Sequence, residues 1–241
     1  MAKDLAVVEK YSVMQNGVEV VNEIIKENLG IDKMTLSDLE KIKVPAGGSL
    51  AFEIPTLEGV DSVKEFEGVI IAWKVVRSYF DKPFDGSQEP PVCSSDGGEM
   101  GYGCPNGEAE PTWHECATCP LNQWDTGKDG IGKACSEKRL LFVIRPEDML
   151  PVVVVAPPTS IKNNRQFFMK LAGRAIPYYG VSTKFSLEKA DSTKGIKYSK
   201  IVFSVSQKLS KEETDKFSSM SAMFKPYIES YKYEDNDVTD Q

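Results

Sequence analysis

All five cysteines of this 241-residue chain, and its only histidine, lie between Cys93 and Cys135. This stretch is rich in glycine, contains few aliphatic residues and has neither helical nor strand periodicity. A segment of this kind cannot fold on a hydrophobic core of its own, so an interaction other than apolar burial must stabilise it. Cys116 and Cys119 form a C-x2-C pair, which places two thiolates on one tight turn at the separation that a tetrahedral ion requires. We therefore expect Zn²⁺ to organise this insertion.

The zinc ligands must be chosen from the cysteines and the histidine of the insertion. Cys116 and Cys119 are the firm pair. Cys93 and Cys135 lie where the chain enters and leaves the insertion, so binding both would pin its base. We predict that these four cysteines bind the metal. Two spare ligands remain: Cys104 and His114.

Other interpretations of the cysteines stay open. They could be free cytosolic thiols, or two disulfides with one thiol left over. An odd number of cysteines and the lack of an N-terminal apolar export signal argue against a disulfide framework. A catalytic zinc would keep one open coordination position and would need a general base nearby. Glu115 is adjacent to Cys116 but belongs to no recognisable catalytic motif.

Charge is segregated along the chain, although the net charge is −7. Residues 133–208 contain 14 Lys and Arg against 5 Asp and Glu, which is +9, so the remainder carries −16. A basic middle between acidic flanks creates a local field that the average conceals and that would attract a polyanion. No run of about 18 apolar residues is present, so we expect no membrane span and a cytoplasmic location.

The hydrophobic pattern divides the chain into segments. We predict a helical N-terminal segment over residues 1–45, because apolar residues recur at helical spacing between 18 and 29. A main domain follows over residues 49–208 and is interrupted by the insertion at 93–135. A capping box, Ser210 with Glu213, predicts a C-terminal helix over residues 210–231. An acidic, mobile tail at residues 232–241 completes the chain.

The sequence of the main domain predicts several strands and one helix. Alternating or β-branched residues predict strands at 50–54, 66–80, 138–156 (a bent strand or hairpin), 179–187 and 198–208. A helix is expected from about 160 to 171, between the third and fourth strands. Five strands with a helix in that position match the element order of a five-stranded OB-fold barrel, here with the zinc insertion between strands 2 and 3. A mainly β fold with flanking helices (α+β) and a different strand pairing is the competing assignment.

The second predicted strand offers a candidate binding face. Alternation places Trp73, Arg77 and Tyr79 on one side, together with Ile71. Aromatic faces and cations are what a splayed single strand of nucleic acid needs, and stacking contributes roughly 1–3 kcal/mol per base without regard to its identity. These rings could equally be core residues. Further residues of strands 3 and 5 would extend the groove: Arg139, Arg145, Lys197, Tyr198 and Lys200.

Several stretches resemble those of bacteriophage single-stranded-DNA-binding proteins that carry an inserted zinc site. They include EFEGVIIAWKVVRSYF, CATCPLNQW, GKACSEKRLLFVI and GIKYSKIVFSV, within residues 50–208. The resemblance implies an OB-fold, a bound zinc, cooperative coating of single-stranded DNA in viral DNA replication and recombination, self-association on DNA, and an acidic tail that recruits replication enzymes. Cys93, Cys116, Cys119 and Cys135 match the metal positions of that family, whereas Cys104 has no counterpart.

The sequence therefore favours a non-enzymatic, sequence-tolerant binder of single-stranded DNA in the host cytoplasm. No nucleophile, base and orienting group form a recognisable set, and no G-x-x-x-x-G-K-[ST] phosphate loop is present. The alternative is a zinc-containing adaptor or regulator that binds protein partners through the insertion and the acidic ends. A metal-dependent nuclease is a weaker candidate, because it would need clustered Asp or Glu side chains near the strands and the strands carry few.

Removal of the acidic tail tests the predicted DNA-binding role. Residues 233–241 contain Glu234, Asp235, Asp237 and Asp240 and no basic residue. A tethered polyanion competes with DNA phosphates for a basic groove. Deleting residues 233–241 should therefore tighten single-strand binding at low salt, with a difference that shrinks as salt rises. Fluorescence anisotropy titrations measure both, and equal affinities at low ionic strength would contradict the competition.

Overall fold

The computed structural model describes residues 10–32, 34–45, 47–82, 89–192, 195 and 197–230. The predicted acidic tail at 232–241 and the first nine residues lie outside these ranges. Three α-helices are described: α1 (Ser12–Leu29), α2 (Ile161–Ala172) and α3 (Lys211–Ser230). Eleven strands are described: β1 (Lys41–Lys43), β2 (Phe52–Thr56), β3 (Gly59–Val63), β4 (Glu65–Tyr79), β5 (Cys93–Ser95), β6 (Met100–Gly103), β7 (Thr112–Glu115), β8 (Ser136–Ile144), β9 (Val152–Ala156), β10 (Val181–Asp191) and β11 (Lys197–Lys208). The predicted mainly β class with a few helices (α+β) is confirmed.

The strands form one sheet with the order β3-β2-β1-β9-β8-β4-β5-β6-β7. Strand β10 pairs with β4 beside this path, and β11 pairs with β10. Adjacent strands are antiparallel except β1 and β9, which are parallel. The cysteine-rich insertion leaves the sheet at the end of β4 and returns at β8, so its own strands β5–β7 extend the sheet from β4.

Strand β4 belongs to two ladders. Its residues 65–68 pair with β10, and its residues from 69 to 78 pair with β8. Gly68 lies where the ladders meet, because a Cβ there would come within 2.4 Å of Val143 Cγ1 and 2.8 Å of the Ile144 carbonyl oxygen. Any larger residue would push β8 away from β4. Glycine at this position is therefore what lets one strand serve both ladders.

A register shift in β4 corrects the predicted strand face. The pairing passes from Ile70–Val143 to Ala72–Phe142, so Ile71 is the additional residue of a bulge. Ile71 consequently lies in the same buried cluster as Ala72. Its predicted place on the Trp73 side is wrong, because simple alternation cannot continue through a bulge.

The five-stranded barrel expected from the sequence does not close. Within the described ranges β9 pairs with β1 and β8, and β11 pairs only with β10, so no ladder joins β9 to β11 and the sheet stays open. Residues 50–54, expected to begin the barrel, contribute instead to β2, which pairs with β1 and β3 towards the far edge of the sheet. The segment 1–45, expected to be helical, also supplies strand β1.

Two buried clusters lie on opposite sides of β8. Leu140 and Phe142 belong to the cluster covered by α1 and α3, whereas Leu141 belongs to the cluster with β10 and α2. Helix α2 contributes Phe167 and Leu171 to this second cluster. Alternate side chains of β8 therefore anchor the terminal helices on one face and α2 on the other.

The terminal helices are fastened to the sheet by polar contacts as well. Tyr11 is buried, and its hydroxyl donates to Ser182 Oγ at 2.7 Å. The predicted capping box at the start of α3 forms, with the Ser210 amide donating to Glu213 Oε2 at 2.7 Å. At the other end of α3, the buried Lys74 ammonium donates to the Ile228 carbonyl oxygen at 3.2 Å. No helix among the described residues is long and apolar enough to cross a membrane.

Candidate metal centre and nucleic-acid interface

Four thiols of the insertion meet in one pocket. Its walls include Cys93, Cys116, Cys119 and Cys135, and also His114. The cysteines come from β5, from the C-x2-C turn and from the residue before β8, so three segments distant in sequence converge here. The pocket forms where the insertion joins the sheet, as the positions of Cys93 and Cys135 in the sequence suggest.

Two glycines of β6 let the strands close around these thiols. A Cβ on Gly101 would lie 3.0 Å from Cys93 Sγ and 3.6 Å from Cys116 Sγ, so both sulfurs rest against this one residue. Gly103 has φ +152°, and a Cβ there would lie 2.0 Å from the Val92 carbonyl oxygen. Side chains at these positions would fill the pocket or separate β5 from β6.

The thiols influence one another. Burial, with a smaller contribution from the neighbouring Cys116 and Cys119, raises the pKa of Cys93 to about 11. Burial likewise raises the pKa of Cys135 to about 12, opposed by the nearby Arg77 guanidinium. Two thiolates this close repel each other, so a full set of thiolates requires a cation among them.

The spare ligands are placed differently. Cys104 does not line the pocket, and its amide donates to the Val92 carbonyl oxygen at 2.9 Å. His114 does line it, but its Nε2 lies 3.1 Å from the Gly103 carbonyl oxygen. In the described part of the chain, no three His, Cys, Asp or Glu side chains stand in the arrangement of a formed metal site. The thiols share a pocket without having the spacing of a completed tetrahedron.

Asn122 connects the C-x2-C turn to the sheet. Its Nδ2 donates to the Cys116 carbonyl oxygen at 2.6 Å, and its Oδ1 accepts from Arg77 Nη1 at 2.6 Å and Lys133 Nζ at 3.1 Å. Arg77 also donates to the Gly98 carbonyl oxygen at 3.3 Å and forms an ion pair with Glu137. Arg77, predicted to contact DNA, is therefore occupied in holding the insertion. Asn122 was not singled out by the sequence, since a lone asparagine carries no motif.

Trp73 forms the centre of a second site. Trp73 is 39% exposed, and its ring lies 5.9 Å, centroid to centroid, from the Phe168 ring of α2. The Arg139 guanidinium lies over the indole at 5.1 Å, and its Nη1 donates to Asn164 Oδ1 at 2.8 Å. Trp73 and Arg139, both predicted to contact DNA, are thus brought together, although Arg139 itself is buried. The Arg139 guanidinium therefore packs against one face of the indole as a cation–π contact.

The other predicted contact residues lie elsewhere. Tyr79 lines the thiol pocket. Arg145 is buried and donates to Asp148 Oδ1 at 3.0 Å, so its charge is neutralised away from the Trp73 site. Lys200 pairs with Glu188 at 2.7 Å across the β10–β11 hairpin. The remaining two residues are at the hairpin end of β11: exposed Lys197 and half-buried Tyr198.

Helix α2 adds residues that the sequence did not reveal. Arg165 is exposed. Burial lowers the pKa of Arg139, and the nearby positive charge of Arg165 lowers it further. Lys162, one helical turn earlier, is exposed on the same side. Phe168 continues the aromatic surface to Tyr178 at 5.7 Å. We define the Trp73 surface by its five members: Trp73, Arg139, Arg165, Phe168 and Tyr178.

A cleft of about 440 Å³ adjoins the Trp73 surface. Trp73 and Tyr178 line it together with Gly97 of the insertion. The end of α3 forms the opposite wall through Ile228 and Glu229. The insertion, the central strand and the last described helix therefore meet at one place. Comparison with known proteins finds no matching family, no matching curated sequence and no matching solved structure.

Substitution of Asn122 tests its connecting role. Asn122→Ala would leave the Cys116 carbonyl oxygen without its side-chain donor and would remove one of the acceptors of Arg77 in a buried place, which costs about 1–3 kcal/mol. We expect the free energy of unfolding in urea to fall by that amount. Gln166→Ala, which removes an exposed amide from α2, is the matched control and should change stability by less than about 0.5 kcal/mol. Equal effects of the two substitutions would contradict the role assigned to Asn122.

Proposed function

We propose that this chain is a non-enzymatic, sequence-tolerant single-stranded-DNA-binding protein, of the kind that bacteriophages use in DNA replication and recombination. The observation that carries the proposal is the Trp73 surface. A partly exposed indole lies near an aromatic ring and a guanidinium, beside a helix that exposes Lys162 and Arg165. Bases would stack on the rings and phosphates would contact the cations of α2.

The strand connectivity supports an OB-type fold for this role. The five strands β4, β8, β9, β10 and β11, with α2 between the third and fourth, have the order of an OB-fold, and β4 takes part in both ladders. OB-folds are often partly open, in keeping with the missing link between β9 and β11. If β4 is counted as the first strand of the barrel, the insertion is the loop between the first and second barrel strands, β4 and β8. That loop commonly contributes to oligonucleotide binding, and here Gly97 lies in the cleft beside Trp73.

The chemistry of the surface favours tolerance of sequence. Stacking uses the π-face that every base presents and contributes roughly 1–3 kcal/mol per base. Buried Arg139 is already bonded to Asn164, so it positions the indole, while exposed Arg165 is the cation available to a phosphate. No set of base-reading side chains is required for such binding.

We further propose that Cys93, Cys116, Cys119 and Cys135 bind one structural Zn²⁺. The convergence of the four thiols on one pocket supports this, as does the C-x2-C spacing. The ion would supply the charge that allows the thiolates to coexist and would hold the insertion beside the cleft. It would take no part in a reaction.

The acidic tail fits the same proposal. Residues 233–241 contain four Asp and Glu and no basic residue, so they could compete with DNA phosphates for the basic surface and then recruit replication or recombination proteins in the host cytoplasm. A second candidate function, a zinc-containing adaptor or regulator, is favoured by exposed Trp113 and Tyr102 on the insertion, outside the Trp73 surface.

Substitutions on the Trp73 surface test DNA binding. Trp73→Ala should weaken binding to a short oligothymidine roughly 5- to 150-fold, which corresponds to the loss of one stacked base. Arg165→Gln should weaken it less and should lower the salt slope by about 0.7, the loss of one phosphate contact on a single strand. Anisotropy titrations over a range of salt, with circular dichroism to confirm folding, measure both. Trp113→Ala is the matched control, since Trp113 is also exposed but lies on the insertion.

Two results would contradict the DNA-binding proposal. One is an unchanged oligothymidine affinity in folded Trp73→Ala. The other is wild-type protein that binds duplex DNA as tightly as single strands.

Metal analysis tests the zinc site independently of DNA. Protein prepared without chelator should contain one zinc per chain. Cys116→Ser or Cys119→Ser should lose the metal, and the free energy of unfolding should fall by several kcal/mol, because metal binding and local folding are coupled. Cys104→Ser is the control and should keep both, since Cys104 is outside the pocket. Wild-type protein with far less than one zinc, or loss of zinc in Cys104→Ser, would refute the assigned ligands.

A further inference from the structure

The insertion has a second face, turned away from the thiols. In the antiparallel pair β6–β7, Gly101 faces the sulfurs, so the alternate residues of β6, Met100 and Tyr102, point to the other side. Tyr102 is the cross-strand partner of Trp113, and their rings lie 5.1 Å apart. The same hairpin therefore separates a metal-binding side from an apolar outer side.

This outer side is open to solvent. Met100 is 46% exposed, Tyr102 48% and Trp113 66%. Together with Glu99 they line an open cleft of about 680 Å³. Three large apolar side chains exposed side by side on a short hairpin are typical of a contact surface. We call this set, Glu99, Met100, Tyr102 and Trp113, the Trp113 face.

Charge decides what the Trp113 face can bind. Residues 83–127 contain eight Asp and Glu and no Lys or Arg. Phosphates would be repelled, so these rings do not form a second stacking platform for DNA. Carboxylates beside aromatic rings instead attract Lys and Arg side chains, which bind over ring faces. The fitting occupant is a basic surface with an apolar centre.

The chain itself carries such a surface at the C-terminal end of α2 and in the turn that follows it. Met169 is 70% exposed. Lys170 and Arg174, the cations that flank it, are exposed as well. Methionine packs well against aromatic rings, and the two cations complement the acidic insertion. We call Met169, Lys170 and Arg174 the Met169 face.

We propose that the Trp113 face of one molecule docks on the Met169 face of a second copy. The two faces differ and belong to separate parts of the chain, so the contact is head-to-tail and leaves one free face of each kind at the ends. Such contacts continue into an open chain of molecules unless the rotation between copies closes a ring. Lys162 and Arg165, on the preceding turns of α2, are not members of the Met169 face. The docking needs no DNA and stands apart from the DNA-binding proposal.

Mixing two variants tests this geometry. Sedimentation velocity of the full chain without DNA should detect oligomers larger than dimers at low salt, and these should dissociate at high salt. Trp113→Ala with Glu99→Lys removes one face, and Met169→Ser with Lys170→Glu removes the other. Each double variant alone should be monomeric. An equal mixture should form heterodimers and nothing larger, because only one intact face of each kind remains.

Leu57→Ser, which alters an exposed apolar residue of the β2–β3 turn, should associate like wild type. Zinc content and circular dichroism should be unchanged in every variant, since all these side chains are exposed. Wild type that stays monomeric at low salt, or a mixture of variants that stays monomeric, would overturn the proposal. Weaker oligothymidine binding by Trp113→Ala would assign the face to nucleic acid instead.

Discussion

The pairing of β4 with two different strands is the constraint on which the structure depends. One end of β4 joins β10 and its middle joins β8, so the strand bends between two ladders. Gly68 permits the close approach of Val143, and the bulge at Ile71 resets the side-chain alternation just before Trp73. The bend places the second buried cluster between the ladders, where α2 covers it. It also turns Trp73 towards α2, so the proposed DNA site follows from the backbone of this strand.

The insertion depends on polar and sulfur contacts where apolar burial is lacking. Four thiols meet in a pocket that the glycines of β6 keep open, and Asn122 bonds the C-x2-C turn to Arg77 on β4. Through Arg77 the insertion is attached to the same strand that carries Trp73. Metal binding at the thiols would therefore stiffen one wall of the cleft beside Trp73 without any direct contact with DNA.

Charge divides the surface into regions of different chemistry. The insertion is acidic and exposes aromatic rings, whereas α2 is basic and exposes Lys162, Arg165 and Met169. Aromatic exposure alone would suggest the same role, stacking on nucleic-acid bases, for both Trp73 and Trp113. The neighbouring charges distinguish them, because α2 exposes Lys162 and Arg165 beside Trp73, whereas Glu99 lies beside Trp113. The proposed binding of a polyanion and the proposed docking of a second copy both rest on this segregation of charge.

The sequence by itself determined the β-rich class, the insertion and its cysteine cluster, and the capping box of α3, because spacing and periodicity are local properties. For Trp73, alternation along β4 left exposure and burial equally open. The tertiary structure alone decided which residues surround it. Arg77 and Arg145 resemble DNA contacts in the sequence but are bonded to Asn122 and Asp148, while Arg165 and Phe168 arrive from a helix nearly a hundred residues away. A bulge, a closing ladder or a long-range hydrogen bond depends on which strands meet, and no local pattern encodes that.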